Sequence, residues 1–464
     1  MNYPTYSEYG ELEADWLGVM PRHWSFMRLR FIASEPLMYG ANEAAVLEDP
    51  QLPRYIRITD VKGDGTLHDD TFRSLEEEVA TPYLLQDGDI LLARSGATVG
   101  KSFQYLASWG RAACAGYLIR YRPDQSIVFP RFANYYFQTE CYWACIRSTL
   151  IQSTIENFSA EKYKELKLPI PPLDEQQNIA AFLDWKMGQI DALIAKKKDL
   201  MEKLKEKRLA VITQAVTNGI NLDASLRDIG IPWLVCVPDH WEVKRGRFAM
   251  RVNPSAPRLR NLMPEDEVSF IPMDAVGMQG KLSLEQTWIL ADVSSSYTEF
   301  QDGDVVVAKI TPCFENGKAA LANGLMNGAA LGTTELHVLR ADAVLDKRFL
   351  FYVAISDAFR KIGESEMYGA GGQKRVPPEF IKDFRIPLPP MAEQSVIVDY
   401  LDERTGNIDL MMNRTESAIT HLIEYRTAII TAATTGKIDV RQVAIPTQAK
   451  QNSASDNSTS LMEP

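Results

Sequence analysis

Two stretches of the chain place their apolar residues alternately four and three positions apart. Each stretch follows a proline pair, at 171–172 in the first and at 389–390 in the second, and a proline pair breaks any element that precedes it. Because 4–3 spacing kept over about four heptads is typical of a coiled coil, each stretch predicts one long helix. The predicted seam positions are Leu183, Met187, Ile190, Ile194, Met201 and Leu204 in the first helix, and Leu401, Ile408, Met412, Ile419 and Leu422 in the second.

A helix of roughly 44 residues would be about 65 Å long, so neither stretch could bury its apolar stripe on a small domain alone. The other helix is the simplest partner. The order domain–helix–domain–helix favours an antiparallel pair that carries the two domains at opposite ends. The alternative is that each helix packs separately on its own domain.

Four sequence blocks occur twice in the same order, so the chain is an imperfect tandem repeat. The offsets of the first three blocks are 217, 215 and 218 residues, whereas the segments 103–157 and 321–375 share little. The framework is therefore duplicated and the inserts differ. The paired blocks are 16–31 with 233–248, 84–94 with 299–309, 168–191 with 386–409, and Arg208, Thr213 and Thr217 with Arg426, Thr431 and Thr435.

The segments before the long helices predict mixed α/β domains. Strand patterns occur at 90–94, 117–122 and 305–309, and helix patterns at 132–148 and 347–362, while QDGD is typical of a turn. The predicted fold is α+β: two mixed α/β domains in tandem, each followed by a long helix, with the two helices forming an antiparallel coiled coil. The predicted boundaries are 1–170 for the first domain, 171–218 for the first helix, 219–388 for the second domain, 389–436 for the second helix and 437–464 for a disordered, polar tail.

Composition fits a soluble protein of two or three domains, with 45% hydrophobic and 24% charged residues in a chain of 464. There is no apolar run of about 20 residues, so no membrane span is expected, and residues 1–13 resemble neither a signal nor a transit peptide. The five cysteines are odd in number and form no CxxC pair, so we interpret them as reduced, mostly buried thiols. A cytoplasmic location follows from these features.

A net charge of −11 argues against DNA binding when it is taken alone, because Lys and Arg supply most of the affinity for phosphates. Local charge distribution matters more. The sequence GATVGKS at 96–102 resembles a phosphate loop, but only three residues separate its glycines and no helix pattern follows, whereas nucleotide loops need four. We interpret it as a strand-to-turn segment, with the alternative that it offers its polar side chains to DNA.

Other catalytic signatures do not fit. The segment 238–244 imitates a nuclease PD…ExK pattern, but its two acids lie too close in sequence and the first repeat lacks them. No proline pair has the acidic or polar residue before it and the aromatic residue after it that an adenine methyltransferase requires. His23 and His240 belong to the repeated PxHW block, and we interpret them as structural.

Taken together, the PxHWxxxRxxF block, the stretch QDGDILLARSGATVGK, the block around LPIPPLDEQQNIAAFLD and a helix ending in RxxxxTxxxT resemble Type I restriction-modification specificity subunits over nearly the whole chain. The resemblance implies two target-recognition domains, each reading one half of a bipartite, asymmetric site in double-stranded DNA. It also implies that the long helices are a spacer and a docking surface for two modification subunits, joined by restriction (translocase) subunits. S-adenosylmethionine, ATP and Mg would belong to those partners, with no cofactor, metal or catalytic residue on this chain.

Candidate DNA contacts come from basic and polar residues in and near the inserts. A stiff spacer would fix the separation of the two half-sites, as half-site spacing mirrors protein geometry. Two other hypotheses stay open: an enzyme that uses GATVGKS to bind nucleotides, and a stand-alone interaction or antirestriction protein without modification partners. The candidate DNA contacts are Arg94, Ser95, Lys101, Gln152, Thr154 and Asn157 in the first domain, and Lys309, Lys318, Lys374 and Arg375 in the second.

Overall fold

The computed structural model describes residues 3–11, 18–44, 46–62, 65–151, 157–293, 296–370 and 372–446. The chain divides into two compact units: unit 1 comprises residues 1–197 and 417–464, and unit 2 comprises residues 198–416. Each unit therefore combines one α/β domain with part of each long helix.

Unit 1 is built on a four-stranded antiparallel sheet in the order β4-β9-β6-β7. Strand β6 is buried along its whole length, since it lies between β7 and β9. Among the described residues, three strand pairs complete the domain: antiparallel β1·β2 and β3·β10, and parallel β5·β8. The elements are β1 Tyr9–Glu11, β2 Val19–Pro21, β3 Ser25–Arg28, β4 Met38–Tyr39, β5 Arg54–Ile56, α1 Glu77–Ala80, β6 Ile90–Ala93, β7 Ser102–Gln104, β8 Ala112–Cys114, β9 Leu118–Tyr121, α2 Pro130–Tyr136, α3 Glu140–Ile151, α4 Ala160–Glu165, β10 Lys167–Ile170 and α5 Leu173–Asn218.

Unit 2 repeats the four-stranded sheet as β14-β21-β18-β19 and adds a mixed sheet in the order β16-β15-β20-β17. Only β20 of this mixed sheet lies within the divergent segment 321–375, and β17 overlaps the repeated block 299–309. The elements are β11 Leu226–Ile231, β12 Leu234–Pro238, β13 Glu242–Arg245, β14 Met250–Val252, α6 Pro257–Arg260, β15 Glu267–Ile271, β16 Thr287–Ile289, β17 Thr298–Gln301, β18 Val305–Ala308, β19 Ala319–Leu321, β20 Ala329–Gly332, β21 Leu336–Ala341, α7 Lys347–Ala354, α8 Asp357–Ser365, α9 Pro378–Asp383, β22 Arg385–Leu388 and α10 Met391–Thr434.

The repeated QDGD sequence forms a turn that buries its last aspartate against an arginine. In unit 1, Asp89 accepts hydrogen bonds from Arg122 Nε at 2.7 Å and from the backbone N–H of Gln86 at 2.8 Å. In unit 2, Asp304 accepts from Arg340 Nε at 2.6 Å and from the N–H of Gln301 at 2.9 Å. A buried carboxylate requires such partners, so packing alone accounts for this block in both copies.

The PxHW and EQ blocks form a joint between each domain and the first turn of a long helix. In unit 1 the carboxylate of Glu175 accepts hydrogen bonds from Trp24 Nε1 at 3.0 Å and from Tyr6 Oη at 2.6 Å, and it lies 2.8 Å from His23 Nε2. Burial and this carboxylate raise the pKa of Tyr6. The joint gives His23 the structural role that the sequence predicts.

The same joint occurs in unit 2. Trp241 Nε1 donates to Glu393 at 3.1 Å, and His240 Nε2 lies 2.7 Å from the same carboxylate. The next residue of each EQ pair also binds the domain, because the side-chain amides of Gln176 and Gln394 each donate to two backbone carbonyls.

The long helices contact each other within each unit. In unit 1, Arg426 Nε donates to Asp191 at 3.3 Å, and in unit 2, Arg208 Nε donates to Asp409 at 2.8 Å. The two arginines interrupt the apolar seam in the sequence, and these ion pairs explain why they are tolerated. Of the predicted seam residues, Leu183, Met187, Ile190, Leu204, Leu401, Ile408 and Met412 are buried, while Ile194, Met201, Ile419 and Leu422 are half-buried.

Three sequence predictions need correction. The helices predicted at 132–148 and 347–362 are each two helices, broken where Thr139 and Ser356 accept a backbone N–H at the start of the second helix. The tail predicted to be disordered from 437 starts too early, since Ile438 and Val440 are buried in the core of unit 1; its residues 447–464 lie outside the described residues. The cysteines are free, but only Cys114 and Cys141 are buried and the other three are half-buried.

Candidate nucleic-acid interface

The chain between β6 and β7 does not have the geometry of a phosphate loop. A short 3-10 turn at 96–98 is followed by β7, a strand, where a phosphate loop requires a helix. Gly100 has φ +86°, and a Cβ there would lie 2.8 Å from the Trp143 ring. Its carbonyl accepts a hydrogen bond from Tyr142 at 2.7 Å. The loop is therefore held against α3, and this geometry argues against the nucleotide-binding hypothesis.

The same loop presents cations at the end of the buried sheet. The guanidinium carbon of Arg94 lies 4.7 Å from the centre of the Tyr39 ring. Its Nη1 lies 3.5 Å from the Gly116 carbonyl oxygen, and its buried Nε has no protein hydrogen-bond partner in the part of unit 1 that is described. Lys101 is exposed. Stacking on tyrosine orients Arg94 and leaves donors available for another group.

Asn157 lies beside this loop through a backbone bridge to Ser95. Its carbonyl accepts a hydrogen bond from Lys162 Nζ at 3.4 Å, and its side-chain oxygen is buried without a partner among the described residues. The structure thus brings together three of the candidates, Arg94, Ser95 and Asn157. The candidates Gln152 and Thr154 lie outside the described residues.

In unit 2 the equivalent loop after β18 carries Lys309 and Lys318. Lys318 Nζ donates to the carbonyl of Met273 at 3.0 Å, so this lysine already has a partner within unit 2. Lys309 is half-buried. Its backbone carbonyl accepts a hydrogen bond from the N–H of Val376 at 2.9 Å, which brings the segment 368–375 to the same loop.

Two backbone hydrogen bonds between Tyr368 and Arg375, at 3.1 and 2.9 Å, close the base of a loop whose residue 371 lies outside the described residues. The Arg375 guanidinium forms a two-point ion pair with Glu335, at 2.9 and 2.8 Å. The hydrogen bond from this guanidinium lowers the pKa of Glu335. Arg375 is therefore already paired, whereas Lys374 is exposed.

Sequence reasoning missed two exposed tyrosines near these loops, Tyr117 and Tyr368. The backbone N–H of Arg94 donates to the carbonyl of Tyr117 at 3.1 Å, so this tyrosine lies directly beside the candidate contact. An aromatic residue just before a buried strand was the available signal. Base edges and sugars are accessible to such side chains.

Two kinds of feature are absent from the part of the chain that the structure describes. Its His, Cys, Asp and Glu side chains form no group of three or more that could hold a metal ion. None of its helices is both long and apolar enough to cross a bilayer.

The chain thus consists of a duplicated unit, a mixed α/β domain followed by a long helix. The sequence profile of the Type I restriction modification DNA specificity domain matches residues 50–206 and 284–421, and the chain belongs to this family. One matched range lies in each repeat, which supports the duplication inferred from the sequence blocks.

Several relatives have informative similarity. The EcoAI specificity subunit of Escherichia coli is 42% identical over 166 residues, which are 35% of this chain and 27% of that protein. The MjaVIII specificity subunit of Methanocaldococcus jannaschii is 22% identical over 364 residues, covering 78% of this chain and 81% of that protein. The chain thus spans about a quarter of the EcoAI subunit and most of the MjaVIII subunit.

Solved structures share the fold. A chain from a study of assembly and conformational transition in the type I R-M system aligns over 90% of this chain and 99% of its own length, with a TM-score of 0.69 and 16% identity. The HsdS subunit from Thermoanaerobacter tengcongensis aligns over 90% of this chain and 98% of its own, with a TM-score of 0.51 and 16% identity.

Proposed function

We propose that this chain is the DNA-specificity subunit of a Type I restriction-modification complex and reads a bipartite, asymmetric site in double-stranded DNA. The observation that carries the proposal is a duplicated framework that presents two different inserts. In each copy a buried strand ends at a cation, Arg94 after β6 and Lys309 after β18. Two different inserts on the same framework fit two target-recognition domains, each of which reads a different half-site.

In this proposal the long helices form an antiparallel coiled coil that sets the distance between the two target-recognition domains. The ion pairs Asp191–Arg426 and Arg208–Asp409 support it, because each joins α5 to α10 and the two pairs occupy equivalent positions in the repeat. The domain boundaries would be those predicted from the sequence, with residues 1–170 and 219–388 as the target-recognition domains.

The chain would be a non-catalytic subunit. Two modification subunits would bind S-adenosylmethionine and methylate one adenine in each half-site after flipping it from the stack. Restriction subunits would supply ATP- and Mg-dependent translocation and cleavage, all in the cytoplasm. Mapping N6-methyladenine in a host with and without this gene tests the proposal. Loss of methylation at one bipartite sequence is expected, and an unchanged map would contradict it.

Arg94→Ala is expected to weaken binding of the recognised DNA about tenfold, because one guanidinium contact to a base or phosphate contributes on the order of 1–3 kcal/mol. Affinity is measured at several salt concentrations on the assembled complex. Arg111→Ala is the matched control, since Arg111 is an exposed arginine of the same unit paired with Glu77. If the Arg94 and Arg111 variants bound the recognised DNA with equal affinity, Arg94 would not be a DNA contact.

Seven residues can be inserted at equivalent points of both helices, within 192–207 and 410–425. This insertion is expected to move the two target-recognition domains apart by about 10 Å. The preferred spacer should then change by about three base pairs at 3.4 Å per pair, with both half-site sequences unchanged. Selection from a random-sequence DNA library measures both quantities. If the half-site sequences changed, or if the spacer length did not, the helices would not set the distance between the half-sites.

A further inference from the structure

Two exposed patches of the same composition lie at equivalent places in the two repeats. Each contains two arginines, one phenylalanine and one acidic residue. We call them the RF patches: Arg28, Arg30, Phe31 and Glu165 form the first, and Arg245, Arg247, Phe248 and Asp383 form the second.

In unit 1 the fold turns these side chains outward. Strand β3 ends at Arg28, and a 3-10 turn at 29–31 follows, in which Leu29 is buried and its N–H donates to the Leu166 carbonyl at 2.8 Å. Arg30 and Phe31 therefore point away from the core. The last residue of α4, Glu165, contacts Arg30 Nη1 at 2.5 Å.

Unit 2 builds the same patch with a different inward residue. Strand β13 ends at Arg245, and Gly246 takes the buried position, where an added Cβ would lie 2.4 Å from the Ile381 carbonyl oxygen. Arg247 and Phe248 follow in a 3-10 turn. The last residue of α9, Asp383, accepts a hydrogen bond from Arg247 Nη2 at 2.6 Å. The inward residue thus varies, whereas the outward ones are the same.

Folding does not account for the RF patches. Phe31 is 59% exposed and Phe248 is 66% exposed, so neither ring is buried as a core residue would be. The arginine–carboxylate pairs are also exposed, and such pairs contribute little to stability. This distinguishes the patches from the Trp24 joint and the QDGD turn, whose repetition follows from burial.

Because the RF patches are the same in both repeats while the inserts differ, we expect both patches to have the same function. An exposed phenylalanine beside arginines is typical of the central residues of protein interfaces. The carboxylate in each patch would repel a phosphate, which argues against DNA as the occupant. Each patch nevertheless keeps a net positive charge, so it fits a partner surface that is apolar and acidic.

We propose that the RF patches are two equivalent docking sites for two copies of one protein partner, each presenting an apolar pocket bordered by carboxylates. The identity of that partner rests on the proposed function, which makes it the modification subunit. The two patches would then give each half of the complex the same contact, independent of the DNA sequence that the half reads.

The test uses the full chain and the modification subunit of the same system, with stoichiometry and affinity measured by light scattering and calorimetry. The variants are Arg30→Ala/Phe31→Ala, Arg247→Ala/Phe248→Ala and the combination of the four changes. Each double variant is expected to lose one of two bound partners, with at least a tenfold loss of affinity at that site, and the combination is expected to lose both. Circular dichroism and thermal melting should be unchanged, because the side chains are exposed.

Matched controls are Arg251→Ala, an exposed arginine paired with Asp342, and Leu222→Ala, an exposed apolar residue; neither residue recurs in the other repeat. Wild-type-like stoichiometry and affinity in the double variants would overturn the proposal. So would a uniform loss of DNA affinity with unchanged partner binding, which would assign the patches to phosphates. If the wild-type chain itself bound no modification subunit, the proposed function would fail instead.

Discussion

Replacing Asp304 with alanine is expected to lower the free energy of unfolding of unit 2 by about 3–5 kcal/mol, because it leaves a mostly buried guanidinium without its carboxylate. Asp304 is 1% exposed and binds Arg340 through both oxygens, at 2.6 and 2.7 Å. Arg340 also donates from Nη1 to a neutral acceptor, the Ser255 carbonyl oxygen, at 3.0 Å, which would not replace the lost negative charge. Denaturant unfolding of the full chain, with hydrogen exchange of β18 and β21, measures the effect.

The equivalent change in unit 1, Asp89→Ala, is expected to cost less. Arg122 contacts a second carboxylate, Glu35, which would stay in place. Glu77→Ala in the same unit serves as the control, since Glu77 forms an exposed ion pair and should change stability far less than either aspartate. Equal losses for Asp89 and Asp304 would show that Glu35 does not compensate.

Exchanging residues 38–158 for those of a relative with a different first insert is expected to change one half of the recognised site and leave the other half intact. The exchanged segment contains Arg94, Ser95 and Asn157 but omits His23, Trp24 and Glu175, so the side-chain contacts of the joint with Glu175 are retained. Base contacts specify sequence while the framework positions them, so the effect should be confined to one half-site. Methylation mapping of the host genome provides the measurement.

The reciprocal exchange of residues 254–375 is the matched control and should change only the other half-site. A chimaera that alters both halves would contradict modular reading. A chimaera that alters neither would move the reading residues outside the inserts.

The sequence predicted the long helices well because their signals are local: a proline pair, a heptad pattern and a break. It also singled out the blocks that form the joint and the QDGD turn, since they are repeated at nearly constant offsets, but it did not predict that the PxHW block contacts the long helix. It could not predict that Thr139 and Ser356 divide helices, because a cap competes with helix propensity only in the packed context.

The candidate site was less predictable. The pairing of Arg375 with Glu335 joins residues 40 positions apart, and no periodicity links them. The stacking of Arg94 on Tyr39 is similarly distant in sequence. Burial of Ile438 and Val440 was missed because their surroundings are polar in sequence, although they pack against residues near the start of the chain.

The joints also determine when each unit can be completed during synthesis. The first turn of helix α5 contacts Trp24 in unit 1 through Glu175, and the glycine after its end, Gly219, packs against Trp241 in unit 2. The first turn of helix α10 contacts Trp241 through Glu393. Gly436, beyond the end of that helix, packs against Trp24, and the N–H of Asp439 donates to the Pro4 carbonyl at 2.8 Å. Unit 1 therefore starts first on the ribosome and is completed last, so a nascent chain stalled before residue 436 would carry an unfinished first domain for chaperones and proteases to find.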